Sequence, residues 1–171
     1  ARKKLPAGID FFVKEGYRPI SQQLKSYEKV KSYFRENSPE FDEDRIKIET
    51  NKLCAPVEVA PHPTGAAVDL TLIYVDTHRE LVLGTEYNAV PHDTGNATFI
   101  DAENISAEAK ENRMILKVAM EFVGFVCYPS EWWHWSYGDK YWAFEKKVEQ
   151  ALYSTIEEKH LEDHIGNIMR N

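Results

Sequence analysis

Three prolines in one stretch, Pro56, Pro61 and Pro63, force irregular backbone from Ala55 to Thr64, and Gly65 then permits a turn. Regularity returns directly after it. From Ala66 to Val75 the spacing predicts a strand, with Val68, Leu70, Leu72 and Tyr74 on one face. Asp69 sits inside that run. An acid in so apolar a strand needs a positive partner, because burying it alone costs roughly several kcal/mol. Any fold for this chain must bring something cationic to Asp69.

The remaining elements arrange themselves around that strand. Ile9 to Val13 reads as a short buried strand, followed by a turn at Gly16 and the stiff Tyr17-Arg18-Pro19. Ser21 is placed to cap a helix reaching about Glu36, with Leu24, Tyr27, Val30, Tyr33 and Phe34 at helical spacing. A second helix is expected from Glu43 to Leu53, its start favoured by Asp42, Glu43 and Asp44. Asp76 to Arg79 turns the chain into Leu81-Val82-Leu83, and residues 84–105 read as a long functional loop. A third helix is expected from Ser106 to Gly124, with Met114, Ile115, Val118 and Phe122 inward. Phe125 to Tyr128 and Trp132 to Tyr137 read as strands about the Pro129-Ser130 turn. Phe144, Val148, Leu152 and Ile156 then predict a final helix, to about Ile165 and ending at Gly166. Strands interrupted by irregularly placed helices indicate an α+β fold.

At 171 residues the chain has the length of about one domain. The formal charge of −7 argues against nucleic acid or anionic lipid as a partner, since phosphate binding needs clustered cations. No apolar run is long enough for membrane insertion. Cys54 and Cys127 lack any C-x-x-C or zinc-finger spacing and read as core thiols, although one disulfide between them is formally open. Such sparing use fits a reducing compartment, so the cytoplasm is the expected location, with the periplasm or secretion as alternatives. The start Ala1-Arg2-Lys3-Lys4 has neither Met nor a signal-peptide core, and the chain is expected to be cut just upstream. Oligomeric state is not readable.

Histidines are the natural place to look for chemistry. His62 lies in the proline-rich turn, seven residues before Asp69. His134 lies in Glu131-Trp132-Trp133-His134-Trp135, where an acid and an imidazole share an aromatic cluster. E-x-x-H alone means little, because Glu157-x-x-His160 matches it too. His160 and His164 share one helical face, but no Glu directly follows the first of them. That pair reads as a charged, solvated face. A cation held jointly with His62 would supply the partner that Asp69 requires.

Three stretches, Glu15-Gly16-Tyr17-Arg18-Pro19, His62-x-x-Gly65-x-Ala67-x-Asp69 and Glu131-Trp132-Trp133-His134, together resemble the D-alanyl-D-alanine dipeptidases. These are zinc peptidases of the family that also holds the VanY-type D,D-carboxypeptidases. Its motifs are G-Y-R-P, S-x-H-x-x-G-x-A-x-D and E-x-W-H, and they occur here in family order over roughly residues 5–144. Leu83-Gly84-Thr85-Glu86-Tyr87-Asn88 is similar to M-G-T-x-F-D of the dipeptidase branch, as is Trp135-Ser136-Tyr137-Gly138-Asp139-x-Tyr141-Trp142-Ala143 to the segment after its last ligand.

The resemblance implies one Zn²⁺ per chain, held by His62, Asp69 and His134 in a cleft on a small central antiparallel sheet flanked by helices. It implies Glu131 as general base, Arg18 as stabiliser of the transition state, and Tyr17 and Trp133 as substrate-binding residues. The substrate would be a small peptide, D-Ala-D-Ala or a related dipeptide. Three departures stand out: Ala60 replaces the motif's serine, Asn88 replaces the loop aspartate, and the family's segment ahead of G-Y-R-P is missing. The peptidase domain is placed at residues 1–144, with residues 145–171 as a helical C-terminal extension. Two alternatives remain open at this level: a D,D-carboxypeptidase acting on peptidoglycan stem peptides, and a degenerate module that binds without catalysis.

Overall fold

A computed structural model of the chain describes residues 1–159 and 161. Four strands, β1 (Ile9–Glu15), β2 (Ala67–Tyr74), β3 (Val126–Cys127) and β4 (His134–Ser136), form one antiparallel sheet in the order β1-β2-β4-β3. Helices α1 (Ile20–Asn37), α2 (Glu43–Leu53), α3 (Ala107–Glu121) and α4 (Lys140–Lys146) complete the α+β architecture among the described residues. None of these helices is long and apolar enough to cross a membrane.

Side-chain alternation decides what the sheet can do. Leu70 and Leu72 of β2 join Trp133 and Trp135 around β4, and Leu116 and Met120 of α3, in one buried core. Period-two geometry therefore sends Asp69, next to Leu70, and His134, between the two tryptophans, to the opposite face. They are also direct cross-strand partners, Asp69 facing His134. In β1 the register shifts by one residue between Val13 and Glu15, so that Glu15 pairs with Asp69. Thus the core fixes two acids and an imidazole on the face away from itself.

Three expectations change. Helix α1 starts two residues early and is capped by Pro19, whose carbonyl accepts from Gln22 and Gln23; the Ser21 N–H instead donates to Glu158 Oε1. In α3, which Ser106 does cap, the inward face is Ala109, Arg113, Leu116, Ala119 and Met120, while Met114, Val118 and Phe122 are more than half exposed. The reason lies with Arg113. Fully buried, it donates to the carbonyls of Leu83, Ala97 and Phe99, and small residues on its face let the helix come close. The final helix is the third change. Capped by Asp139, α4 stops at Lys146 with Lys147 in the left-handed region. Residues 148–157 then run as a non-helical strap, because their N–H groups find carbonyls elsewhere. Those of Leu152 and Tyr153 bond Gly138, and that of Ile156 bonds Pro63. His160, His164, Ile165 and Gly166 lie outside the described residues.

Candidate active site

The proline-rich segment closes as a short 3₁₀ turn, His62–Thr64, ended by Gly65 at φ +69°. This turn delivers His62 to the sheet face that carries Asp69 and His134. His62 Nδ1 meets the Gly16 carbonyl at 2.7 Å, which turns Nε2 towards Asp69 Oδ1, 3.3 Å away. His134 is oriented the other way round: Nδ1 lies 2.9 Å from the same Asp69 oxygen and Nε2 lies 3.3 Å from Ser136 Oγ. The two rings stand edge to face, 4.9 Å apart. All three side chains are buried, and one donor atom from each lies within 4.8 Å of the others.

That set fits a zinc ion. It offers two imidazole nitrogens and one carboxylate oxygen, leaves a fourth tetrahedral position open, and holds the outer nitrogen of each ring on a protein oxygen. It is also the need foreseen for Asp69. Burial opposes that acid's charge, but hydrogen bonds from His134 and His62 hold its carboxyl well below the usual carboxylate range. Burial likewise disfavours a charged His134, yet Asp69 raises its pKa.

Glu131 stands beside this cluster without joining it. It follows the turn at Tyr128, to whose carbonyl its N–H bonds at 3.0 Å, and its own carbonyl accepts the N–H of His134. Burial pushes its carboxyl up, and the nearby His134, His62 and Arg18 only partly pull it back. A carboxyl held above its ordinary range beside a metal-ligating set is a better proton acceptor than a free one.

Arg18 reaches the same cleft, but neighbours other than Tyr17 and Pro19 fix its fork. Nε and Nη2 bind the two oxygens of Glu15 at 2.6 and 2.5 Å, and Nη1 binds Gln23 Oε1 at 2.8 Å. Gln23, itself buried, is anchored on the Ala55 carbonyl at 2.6 Å. The hydrogen bonds Arg18 donates to Glu15 are foremost in raising its pKa, and Arg18 keeps two of its five N–H donors free of these contacts. Tyr87 closes the network. Its hydroxyl donates to Asp69 Oδ2 at 3.0 Å and lies 3.5 Å from Glu15 Oε2.

Five of the seven expected residues therefore converge: His62, Asp69, His134, Glu131 and Arg18. The two substrate-binding expectations fare differently. Trp133 is 2% exposed and packed between Trp132 and Tyr87, so it has no surface to offer a ligand; the alternation that turns His134 outward turns Trp133 into the core. Tyr17 is half-buried and its hydroxyl bonds the Ile156 carbonyl of the strap at 3.2 Å. Glu15, Tyr87 and Ser136 stand in the stretches quoted above with no role in the site assigned, and Gln23 has no signal in the sequence. Glu15 alone carries a local signal, three residues before an arginine. Cys54 and Cys127 are free, only partly buried, and outside the cluster.

A family model described as D-ala-D-ala dipeptidase matches residues 2–156. A D-alanyl-D-alanine dipeptidase of Synechocystis sp. is 34% identical over 97 residues, covering 53% of this chain and 39% of that protein. Its namesake from Enterococcus faecium is 34% identical over 79 residues, covering 46% and 37%. A third, from Enterococcus faecalis, is 31% identical over 88 residues, covering 48% and 42%. The matched parts are thus about two fifths of these relatives' length. Among solved structures, VanYB in complex with D-alanine-D-alanine is 17% identical, with a TM-score of 0.45 over 82% of this chain and 68% of that one.

Proposed function

This chain belongs to the D-ala-D-ala dipeptidase family of peptidases, and from that premise we propose that it is a zinc-dependent peptidase cleaving D-Ala-D-Ala or a related small dipeptide. One observation carries the reading: a buried His62–Asp69–His134 cluster with a buried acid, Glu131, outside the ligand set and an anchored arginine beside it. Bound by those three residues, zinc would polarise the scissile carbonyl and acidify water towards a pKa of about 7. Glu131 takes the proton from the attacking water and hands it to the leaving amine, so one residue serves both halves of the reaction. Arg18 directs its free N–H groups at the carbonyl oxygen as negative charge develops there. A binding-only site would need neither.

Wild type is expected to hold about one equivalent of zinc and His134→Ala almost none, while Cys54→Ser and Cys127→Ser change nothing. Equal zinc in wild type and His134→Ala would sink the ligand assignment. With zinc fully loaded, Glu131→Gln should lose about 10²–10⁴-fold of its hydrolysis of D-Ala-D-Ala, nearer the upper end. A near-normal kcat would put the base elsewhere.

A second reading has its own support. Beyond Tyr87 the sheet face continues as an open groove of about 850 Å³, lined by Lys14, Thr71, Glu80, Leu83 and Thr85. Room of that size suits a longer chain, as in a D,D-carboxypeptidase acting on stem peptides. Comparing kcat/KM for D-Ala-D-Ala with that for a peptide ending in D-Ala-D-Ala decides between them.

A further inference from the structure

Asp69 presents its two oxygens to different partners. Both imidazoles approach Oδ1, at 2.9 and 3.3 Å, whereas Oδ2 receives the Tyr87 hydroxyl at 3.0 Å. That hydroxyl has no second choice on Asp69, because Oδ1 already faces both imidazoles. Nor is its position a matter of chance contact. Trp132 Nε1 donates to Thr85 Oγ1 at 2.8 Å, and Arg113 Nε to the Leu83 carbonyl at 2.7 Å, on the loop just before Tyr87. Gly84, at φ +93°, has Ile105 where a Cβ would stand, only 2.9 Å away. The ring itself packs edge-on against Trp133 at 5.7 Å. A rigid loop thus delivers one O–H to one oxygen.

We propose that Tyr87 is a positioning residue for Asp69, occupying the carboxylate's second oxygen so that a metal ion at the cluster receives a single one. This rests on the zinc reading above. A hydroxyl has one proton, and Asp69 Oδ2 is nearer to it than Glu15 Oε2 at 3.5 Å. The same hydroxyl therefore separates the carboxylate that would hold the metal from the one that holds Arg18. Without it, the two acids paired across β1 and β2 face each other, and Asp69 is free to rotate and offer both oxygens.

Tyr87→Phe removes only the oxygen and keeps the ring that packs on Trp133. Outer partners of metal ligands typically carry 10–100-fold in affinity. Zinc affinity, read by competition with a chromophoric chelator, is expected to fall about 10–100-fold in Tyr87→Phe. Glu86→Gln, on the same loop, should match wild type. Cobalt substitution supplies a second readout: the visible bands of Tyr87→Phe should weaken and shift as Asp69 turns bidentate and coordination rises from four to five. Wild-type zinc affinity with an unchanged cobalt spectrum in Tyr87→Phe overturns the proposal while leaving the zinc reading intact. Failure of wild type itself to bind zinc overturns the zinc reading and the proposal with it.

Discussion

Arg18 commits three of its N–H groups to Glu15 and Gln23, which makes it a rigid charge rather than a roaming one. If that charge meets an oxyanion, Arg18→Ala should lower kcat and kcat/KM together by about 10²–10³ at equal zinc occupancy. Arg18→Lys should recover little, because an ammonium cannot fill both places of the fork. A rise in KM alone would make Arg18 a clamp on the substrate's carboxylate. Glu15 tests the anchor from the other side. The hydrogen bond from Arg18 foremost holds its carboxyl below the ordinary 4.5, so its contribution to stability is full above that pH and is lost as the pH falls through the lowered value. In the metal-free protein, Glu15→Gln should flatten the decline in the urea midpoint below about pH 5; an unaltered slope would show that the pair contributes nothing. Both residues illustrate what a sequence displays at this scale. His62, Asp69, Glu131, His134 and Arg18 are legible because their chemistry is odd for its setting or falls in a motif. Gln23 is a polar residue in ordinary company and Tyr87, though in a motif-like stretch, shows no sign of its bond to Asp69: the partners, Ala55 and Asp69, lie 32 and 18 positions away.

Strands announced themselves better than helix faces. Alternation in β2 puts Leu70 and Leu72 inside as expected, whereas around β4 it also turns Trp133, expected at the substrate, into the core and leaves Asp69 and His134 on the other face. Helix α3 has two stripes that satisfy helical spacing, and the more apolar one, Met114, Val118 and Phe122, faces solvent. The winning stripe holds Arg113, whose pKa burial lowers to about 10 and whose three carbonyl acceptors sit on the loop that leads to and from Tyr87. Spacing cannot foresee a demand made by loop carbonyls from 14 to 30 residues away. The energetics should mirror the structure. Arg113→Met, apolar and similar in reach, should cost about 3–5 kcal/mol in chemical denaturation, since it strands three buried acceptors. Val118→Ala should stay within about 0.5–1 kcal/mol. The reverse ranking would restore the apolar stripe as the inward face.

Across the whole molecule, the largest misreading is the most informative. Phe144, Val148, Leu152 and Ile156 recur every four residues, which is a helix pattern, yet 148–157 is a strap lying over the chain's own loops. The same spacing serves a different end there: Leu152 and Tyr153 pack on Gly138, and Ile156 packs on Gly65 while its N–H and C=O tie Pro63 to Tyr17. The family model, too, runs on to residue 156. Gly138 is the place to loosen it. At φ +87°, with Tyr153 ring carbons 2.7 Å from a Cβ, Gly138→Ala should cost about 1–3 kcal/mol and open 148–157 to limited proteolysis. Cleavage no faster than in wild type would mean that the strap is held elsewhere. Ile156 reaches back 139 positions to Tyr17, and that distance sets an order of events. Polypeptides emerge from the ribosome N-terminus first, at about 5–20 residues per second. Arg18, His62 and Asp69 are thus released early and His134 much later, and the clasp that binds Tyr17, next to Arg18, to the His62 turn leaves the tunnel after them all. A nascent chain stalled short of residue 156 would carry His62, Asp69 and His134 and still lack the clasp.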